Sequence, residues 1–254
     1  MAWWINGKKD EGLRPAHIDA YHDPVTKTYL QLYTAYQEAC DRAGLVDFAE
    51  ILLRAHELLR DNKFVREHYQ ARFKHILVDE FQDTNNIQYA WLRMMAGPEC
   101  HVMIVGDDDQ SIYGWRGAKV ENIEKFTREF PSVTTIRLEQ NYRSTKTILE
   151  ASNTLIANNT ERMGKELWTE ASLVSRFRFT VLTTSGRSPF AVNKIKEWQD
   201  KGGALNDAAM LYRNNAQSRV LEEALNKLVY HTVFMVVCDS SSVRKSKTHW
   251  PTCV

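Results

Sequence analysis

Residues 75–83, HILVDEFQD, decide the fold that this sequence predicts. They open with a short apolar run, residues 76–78, which is typical of a strand covered on both faces. The run ends in a group of carboxylates, Asp79, Glu80 and Asp83. Because ligands bind just beyond the carboxyl ends of the strands in open α/β sheets, we expect the functional site to lie at these acids.

A second strand of the same design is predicted at residues 101–105. It runs into Gly-Asp-Asp-Asp-Gln at residues 106–110, and a helix predicted over residues 86–96 separates it from the first strand. Two strands joined by a helix, each ending in acids, indicate a βαβ unit with a parallel sheet. The predicted fold class is therefore α/β, and further strands are predicted at residues 134–138, 178–184 and 208–213.

The region before the first strand is predicted to be largely helical. One helix is expected over residues 25–44, with Gly44 as its C-cap, and Asp47 is the expected N-cap of a second helix. Residues 1–24 contain two prolines and are predicted to be irregular, and a polar link should join the second helix to the first strand. Later helices are predicted at residues 120–130, 145–158, 190–200 and 214–228.

Composition bounds the class of protein. The chain has 254 residues, of which 43% are hydrophobic and 26% charged, as is usual for a soluble globular protein. Its net charge of +1 gives no global basic field, so any nucleic-acid site must be local. The four cysteines lack metal-ligand spacing and predict free thiols in a reducing compartment. With neither a signal peptide nor an apolar run of the ~18 residues that a membrane span needs, the sequence predicts a cytoplasmic protein.

The acids at the two strand ends predict a magnesium site. Asp79 and Glu80 alone could be ordinary exposed acids, but Asp83, Asp107 and Gln110 stand at the same or a neighbouring strand end. Converging carboxylates with no basic residue beside them are costly unless a cation compensates their charge. Mg²⁺ is the expected cation, because it takes few protein carboxylates and keeps phosphate oxygens as ligands. In phosphoryl transfer, one carboxylate holds Mg²⁺ and the next orients the attacking water.

Tyr142 and Arg143 stand in a stretch dense in hydrogen-bonding groups, QNYRST at residues 140–145. A planar ring beside a fixed cation suits a nucleotide, with the ring on the base and the guanidinium on a phosphate. The alternative is a core tyrosine followed by a surface arginine.

A second aromatic group, Tyr113, Trp115 and Arg116, lies in a loop flanked by glycines. Aromatic rings beside an arginine form a stacking platform for single-stranded bases, worth roughly 1–3 kcal/mol per stacked base. A buried tryptophan is the alternative interpretation of the same spacing.

Three strings resemble the Walker B, third and fourth motifs of the UvrD/Rep/PcrA group of superfamily 1 DNA helicases. They are VDEFQDTNNIQYAWLRMMAG, VMIVGDDDQSIYGWRGA and IRLEQNYRST, and the resemblance extends over roughly residues 3–228. It implies a 3′-to-5′ translocase that couples ATP hydrolysis to movement on single-stranded DNA, acting in DNA repair and replication.

The resemblance also implies roles for residues of a nucleotide site. Asp79 would bind Mg²⁺, and Glu80 would activate the hydrolytic water. Gln110 would sense the γ-phosphate, Tyr142 would stack on adenine, and Arg143 would act as an arginine finger that neutralises transition-state charge.

For DNA, the resemblance implies that Trp115 stacks on a base, with Phe48, Tyr113 and Arg116 nearby. Arg213 is a weaker candidate for DNA contact. The expected ligands and partners are therefore ATP, Mg²⁺ and single-stranded DNA, together with repair proteins or the helicase segments that this sequence lacks.

One motif of that family is missing, because no G-x-x-x-x-G-K-[ST] string occurs in the sequence. The late motifs of the family are missing as well, and the match ends near Leu228. The sequence is therefore interpreted as a fragment of a helicase. The alternatives are a non-catalytic DNA-binding or interaction fragment and a remnant without function.

The resemblance implies four regions. Residues 1–73 would be part of a helical insertion subdomain, and residues 74–139 the second half of a first RecA-like motor domain. Residues 140–228 would be the first half of a second RecA-like domain. Residues 229–254 would be an aberrant tail, either a strand with a disordered end or sequence from an altered reading frame.

Overall fold

A computed structural model describes most of the chain, namely residues 1–20, 22–130, 132–160, 162–171, 180, 186–212, 216–226, 234–237 and 243–246. The chain divides into two compact units, Met1–Ser175 and Arg176–Val254. Within these ranges, no helix has both the length and the apolar character that crossing a membrane requires.

In the described residues four α-helices precede the first strand, and two of them were not predicted. α1 lies in the stretch expected to be irregular, where Ile5 and Lys9, one turn apart, are both buried. Packing of this face, rather than propensity, stabilises so short a helix. α4 replaces the expected polar link, and the Asn62 side chain caps it by accepting a hydrogen bond from Val65 N. The four are α1 (Ala2–Asp10), α2 (Pro24–Ala43), α3 (Phe48–Asp61) and α4 (Lys63–Arg72).

Gly44 and Asp47 act as the predicted caps of α2 and α3, and Asp23 adds an N-cap that was not predicted. Asp23 accepts hydrogen bonds from the first turn of α2, and Pro24 occupies its first position. Gly44 ends α2 in the left-handed conformation with φ of 66°, as expected. The Asp47 carboxylate accepts a hydrogen bond from Glu50 N at 2.7 Å, so it is the N-cap of α3.

A buried ion cluster fastens α1 to α3. The Lys9 ammonium lies 2.7 Å from Asp47 Oδ2 and 3.0 Å from Glu50 Oε2. Arg14 contacts the other oxygen of Glu50 at 2.6 Å and forms two hydrogen bonds with Glu57. Burial raises the pKa of Glu50, but hydrogen bonds from its arginine and lysine partners have the larger combined effect and lower this pKa below its usual value. This carboxylate is tolerated in the interior because cations surround it.

The predicted βαβ unit is present. β1 (His75–Val78) pairs in parallel with β2 (His101–Ile104), with His75 opposite His101 and Val78 opposite Ile104. α5 (Asn86–Met95) connects the strands, and it begins with a capping box between Asn85 and Gln88. The fold is therefore mixed α/β with a small parallel sheet.

Only one face of this sheet is covered, so the prediction of strands buried on both faces is wrong. The covered face, which includes Ile76 and Ile104, packs against a core formed by Phe81, Tyr89, Leu92 and Phe126. On the opposite face Leu77 is 69% and Met103 59% exposed. The described residues supply helices for a single layer, which leaves half of the apolar strand surface in contact with solvent.

The predicted third strand is not observed. After α6 (Asn122–Glu129), residues 133–139 have no regular secondary structure, and Ile136 and Leu138 are 78% and 82% exposed. A single isolated bridge joins Gln140 to Trp168 in place of a ladder. An extended segment becomes a strand only when a neighbour supplies paired hydrogen bonds, and the described residues supply none for residues 134–138. α7 (Lys146–Ile156) then follows, close to the predicted position.

The second unit contains α8 (Arg187–Asp200) and α9 (Ala216–Asn226), which pack against each other. β3 (Phe234–Val237) and β4 (Val243–Ser246) form an antiparallel pair. The strand predicted at residues 208–213 is not observed over residues 208–212. Residue 213 lies outside the described residues, as does the strand predicted at 178–184 except for residue 180.

Candidate functional site

Backbone hydrogen bonds join the carboxyl ends of β1 and β2. Val105 N donates to Val78 O at 2.8 Å, and Phe81 N donates to Val105 O at 3.0 Å. Asp79 and Glu80 follow at this junction. Glu80 has φ of +50°, and residues other than glycine rarely adopt this left-handed conformation outside turns held by their surroundings.

The buried side chain of Gln82 ties the two strand ends together. Its amide nitrogen donates to Glu80 Oε2 at 2.7 Å, and its amide oxygen accepts from Asp107 N at 2.9 Å. Gly106 permits this approach, because a Cβ there would lie 2.7 Å from Gln82 Oε1. The orientation of the Glu80 carboxylate is thus fixed from within the protein.

An open pocket of about 310 Å³ lies beside the acid pair. The Asp79 carboxylate is exposed and accepts one described hydrogen bond, from Glu80 N at 2.9 Å. Its remaining lone pairs are therefore available to a hard cation such as Mg²⁺. The pocket is lined by Val78, Asp79, Glu80, Phe81, Asp83, Thr84, Gln88 and Leu92.

The carboxylates after β2 have a different environment. Oxygens of Asp107, Asp108 and Asp109 lie within 4.8 Å of one another. Contrary to the prediction that no basic residue stands beside the acids, Lys165 pairs with Asp107, and Arg162 binds both oxygens of Asp109 at 3.0 and 2.6 Å. No local sequence signal indicates this pairing, because the cations lie more than fifty residues further along the chain. The negative charge of Asp107 and Asp109 is therefore compensated by side chains of the protein itself.

Gln110 is held by the same group. Its side-chain nitrogen donates to Asp107 Oδ2 at 2.7 Å, while Lys165 contacts Asp107 Oδ1. Burial raises the pKa of Asp107, but the hydrogen bonds from Lys165 and Gln110 have the larger combined effect and lower it below its usual value. Asp107 therefore remains ionised at neutral pH and holds the Gln110 amide in one direction.

The loop of residues 113–116, which we call the aromatic loop, presents its rings to solvent. Trp115 is 76% exposed, so the alternative of a buried tryptophan is wrong. The Arg116 guanidinium lies 4.7 Å from the Trp115 ring centroid and 5.0 Å from that of Tyr113. Gly117, with φ of 91°, ends the turn. An exposed ring beside a cation is able to stack on a nucleic-acid base.

Comparison with known families decides what kind of protein carries this site. Residues 1–131 match the UvrD/REP helicase N-terminal domain, and residues 136–240 match the UvrD-like helicase C-terminal domain. The chain belongs to the UvrD/REP helicase family. This confirms the resemblance predicted from the three sequence strings.

Similar proteins within the helicase family carry names that agree with this assignment. The chain is 62% identical over 224 residues to "DNA helicase II" of Escherichia coli (strain K12), and 54% identical over 224 residues to the protein of that name in Haemophilus influenzae. It is 42% identical over 228 residues to "ATP-dependent DNA helicase PcrA" of Staphylococcus aureus. Each match covers 88% of the chain and 31% of the relative, so the chain spans about a third of the length of these helicases.

The helicase fold brings some of the predicted site residues together and leaves others apart. Asp79, Glu80 and Gln110 lie at one sheet edge, linked through Gln82 and Asp107. Gln82 was not predicted as a site residue, although a glutamine set between two acids at a strand end was visible in the quoted stretch. A buried amide in such a position signals a polar bridge, since buried polar groups need partners.

Tyr142 and Arg143 occupy a turn before α7. The Asn141 side chain accepts hydrogen bonds from the backbone of Arg143 and Ser144, at 2.9 and 2.7 Å, and fixes this turn. Tyr142 is 86% exposed, so it is not a core tyrosine, and its hydroxyl donates to Gln140 Oε1 at 2.7 Å. In the described part of the chain, no contact joins the Arg143 side chain to Asp79 or Glu80.

The remaining DNA candidates are placed separately. Phe48 opens α3 with its ring 93% exposed, which leaves it available to a ligand. Arg213 lies outside the residues that the structure describes.

Proposed function

We propose that this chain forms part of an ATP-dependent DNA translocase that moves 3′ to 5′ on single-stranded DNA in the cytoplasm, in DNA repair and replication. The observation that carries the proposal is the fixed acid pair at the strand end, Asp79 and Glu80, on the same sheet edge as an exposed aromatic loop. Family membership and the names of the similar helicases support it. We also propose the four-region division made from the sequence, with two partial RecA-like domains.

In this proposal, the acid pair serves nucleotide hydrolysis. Asp79 would hold Mg²⁺, which supplies charge neutralisation for the phosphates when bound. Glu80, oriented by Gln82, would accept a proton from the attacking water and hold that water in line with the γ-phosphate. Gln110, fixed by Asp107, would donate its amide hydrogens to the γ-phosphate.

Tyr142 and Arg143 complete the proposed nucleotide site from the other family domain. The exposed Tyr142 ring is suited to stack on adenine, and Arg143 to approach the γ-phosphate as an arginine finger. Tyr142 and Arg143 would act only when a nucleotide lies between them and the acid pair, because no described contact joins either residue to Asp79 or Glu80.

The aromatic loop would bind DNA by stacking. Trp115 offers the exposed ring, and Arg116 adds a cation beside it. Tyr113, Phe48 and Arg213 are the further proposed contacts. Binding should weaken with rising salt, because each phosphate contact releases condensed counterions.

The test is fluorescence anisotropy with labelled oligo-dT. We expect the purified chain to bind, and Trp115→Ala to weaken binding by about 5- to 150-fold, which corresponds to the ~1–3 kcal/mol of one stacked base. Trp3→Ala is the matched control, since Trp3 is 75% and Trp115 76% exposed. The DNA-binding proposal is refuted if both variants bind as well as the parent chain.

A second candidate, DNA binding without hydrolysis, is favoured by one observation: these 254 residues contain no G-x-x-x-x-G-K-[ST] string. That loop supplies the backbone amides and the lysine that cradle nucleotide phosphates. This second candidate is supported if the purified chain binds DNA but shows no ATPase activity.

A further inference from the structure

Two hydrogen bonds to the turn after β1 anchor the segment that carries the aromatic loop, residues 107–119. At the amino-terminal end of this segment, Asp107 N donates to Gln82 Oε1 at 2.9 Å. On its carboxyl-terminal side, Lys119 N donates to Thr84 O at 2.8 Å. Between these anchors the chain runs close to the surface, with Ile112 61% and Trp115 76% exposed. Because such exposed apolar side chains add little packing, further polar contacts should help to keep this segment in one conformation.

Residues 162–165, which we call the basic segment, supply such contacts. Arg162 binds Asp109 through two parallel hydrogen bonds of 3.0 and 2.6 Å. Met163 N donates to Asp108 Oδ2 at 2.7 Å, and Lys165 pairs with Asp107. One four-residue segment thus contacts three consecutive aspartates.

The geometry of this contact is specific rather than incidental. The Arg162 and Lys165 side chains are each only 18% exposed, and that of Asp109 only 12%. Arg162 also donates to Lys165 O at 2.8 Å, which closes the basic segment on itself. Partly buried, bidentate pairs of this kind are screened less than exposed pairs and fix orientation as well as distance.

The contact also crosses the boundary between the two family matches. The three aspartates belong to residues 1–131, and the basic segment belongs to residues 136–240. Both lie within the first compact unit. A change at the basic segment would therefore reach the aromatic loop through Asp107–Asp109 without any contact between the cations and DNA.

We infer that Arg162 and Lys165 are positioning residues for DNA binding, which hold the aromatic loop in its binding conformation by fixing the three aspartates. The inference rests on the proposed function, because it assumes that the aromatic loop contacts single-stranded DNA. It assigns the cations an indirect role: they order the loop and do not contact phosphates.

Substituting an aspartate separates this role from a simple charge effect. Asp109→Asn removes a negative charge, so a field effect alone would tighten oligo-dT binding. If the basic segment positions the loop, the same variant instead weakens binding, by about 3- to 10-fold, because Arg162 loses its bidentate partner. Glu99→Gln is the matched control, since it removes the partner of Lys74 in an exposed surface pair.

Three further variants test positioning by rescue. Lys165→Met should weaken binding, and Lys165→Arg should restore most of it, because arginine keeps a cation beside Asp107. The exchange Arg162→Asp with Asp109→Arg keeps the net charge and should bind more tightly than Asp109→Asn. Tighter or unchanged binding by Asp109→Asn, with the parent chain binding, overturns the inference and leaves the proposed function intact.

Hydrogen exchange covers the case in which the parent chain does not bind DNA, which would refute the proposed function. Amides of residues 107–117 should then exchange faster in Asp109→Asn than in the parent, while those of α5 stay protected. Equal exchange in the two proteins, or the same acceleration in Glu99→Gln, overturns the positioning role.

Discussion

The carboxylates after β1 and those after β2 lie at the same edge of the sheet, but their charges are balanced differently. The described partners of Asp79 and Glu80 are a backbone amide and the neutral Gln82 side chain. Asp107 and Asp109 instead face Lys165 and Arg162. Among the described residues no cation is seen to pair with Asp79 or Glu80, which favours Mg²⁺ there, whereas cations of the chain pair with Asp107 and Asp109. For two acidic clusters that look alike in sequence, we therefore propose different roles, catalysis for the first and holding a loop for the second.

The largest expected effect concerns hydrolysis by the first group. We expect the purified chain to show no DNA-stimulated ATPase activity, because no phosphate-cradling loop occurs in its 254 residues to present phosphates to a metal at Asp79. The measurement is phosphate release with and without single-stranded DNA. Turnover on the order of one per second, abolished by Glu80→Gln, would show that the acid pair works without that loop.

A smaller effect, on the free energy of unfolding, is expected when a substitution at Gly106 pushes the ends of β1 and β2 apart. Gly106→Ala places a Cβ 2.7 Å from Gln82 Oε1 and 3.3 Å from the backbone nitrogens of Phe81 and Gln82. We expect a loss of ~1–3 kcal/mol in the free energy of unfolding, measured by urea denaturation. Gly7→Ala is the control, since nothing lies within 4 Å of its Cβ. Equal unfolding midpoints for the two variants would mean that the strand ends adapt freely.

Metal affinity should distinguish the two groups directly. With Mn²⁺ as a spectroscopic substitute for Mg²⁺, we expect Asp79→Asn to weaken binding by ~1 kcal/mol or more, about fivefold. Asp109→Asn should change it less, because Arg162 already occupies both oxygens of that carboxylate. Electron paramagnetic resonance of free Mn²⁺ gives both affinities. A greater loss in Asp109→Asn would reverse the roles assigned to the two groups.

The smallest effect is on acid stability. The pKa of Asp107 is lowered from its usual 3.8 in the folded protein, where the opposing effect of burial is outweighed by hydrogen bonds from Lys165 and Gln110. A lowered folded-state pKa stabilises the protein above the unfolded value, and this stability is lost as the pH falls through the folded value. Asp107→Asn should therefore show a shallower loss of stability below about pH 4. Asp200→Asn, an exposed control, should follow the parent curve in the same denaturation series.

The sequence predicted those parts of the fold that local signals specify. Gly44 and Asp47 cap helices where expected, and the βαβ unit places Asp79 and Glu80 at a strand end. Local signals could not supply long-range partners. Nothing near Asp109 in sequence indicates Arg162, and an apolar run such as residues 134–138 is a strand only where a neighbour pairs with it.

The exposed apolar face of the two-stranded sheet, where Leu77 and Met103 lie, has a consequence for the colloidal behaviour of the protein. Apolar surface beside an open strand edge favours contact between molecules, so the second virial coefficient of the protein should be negative. Sulfate and phosphate strengthen such contacts, because they are excluded from protein surfaces. Salt titrations of DNA binding should therefore use chloride at low protein concentration. In sulfate or phosphate, precipitation of the protein would be mistaken for weakened DNA affinity.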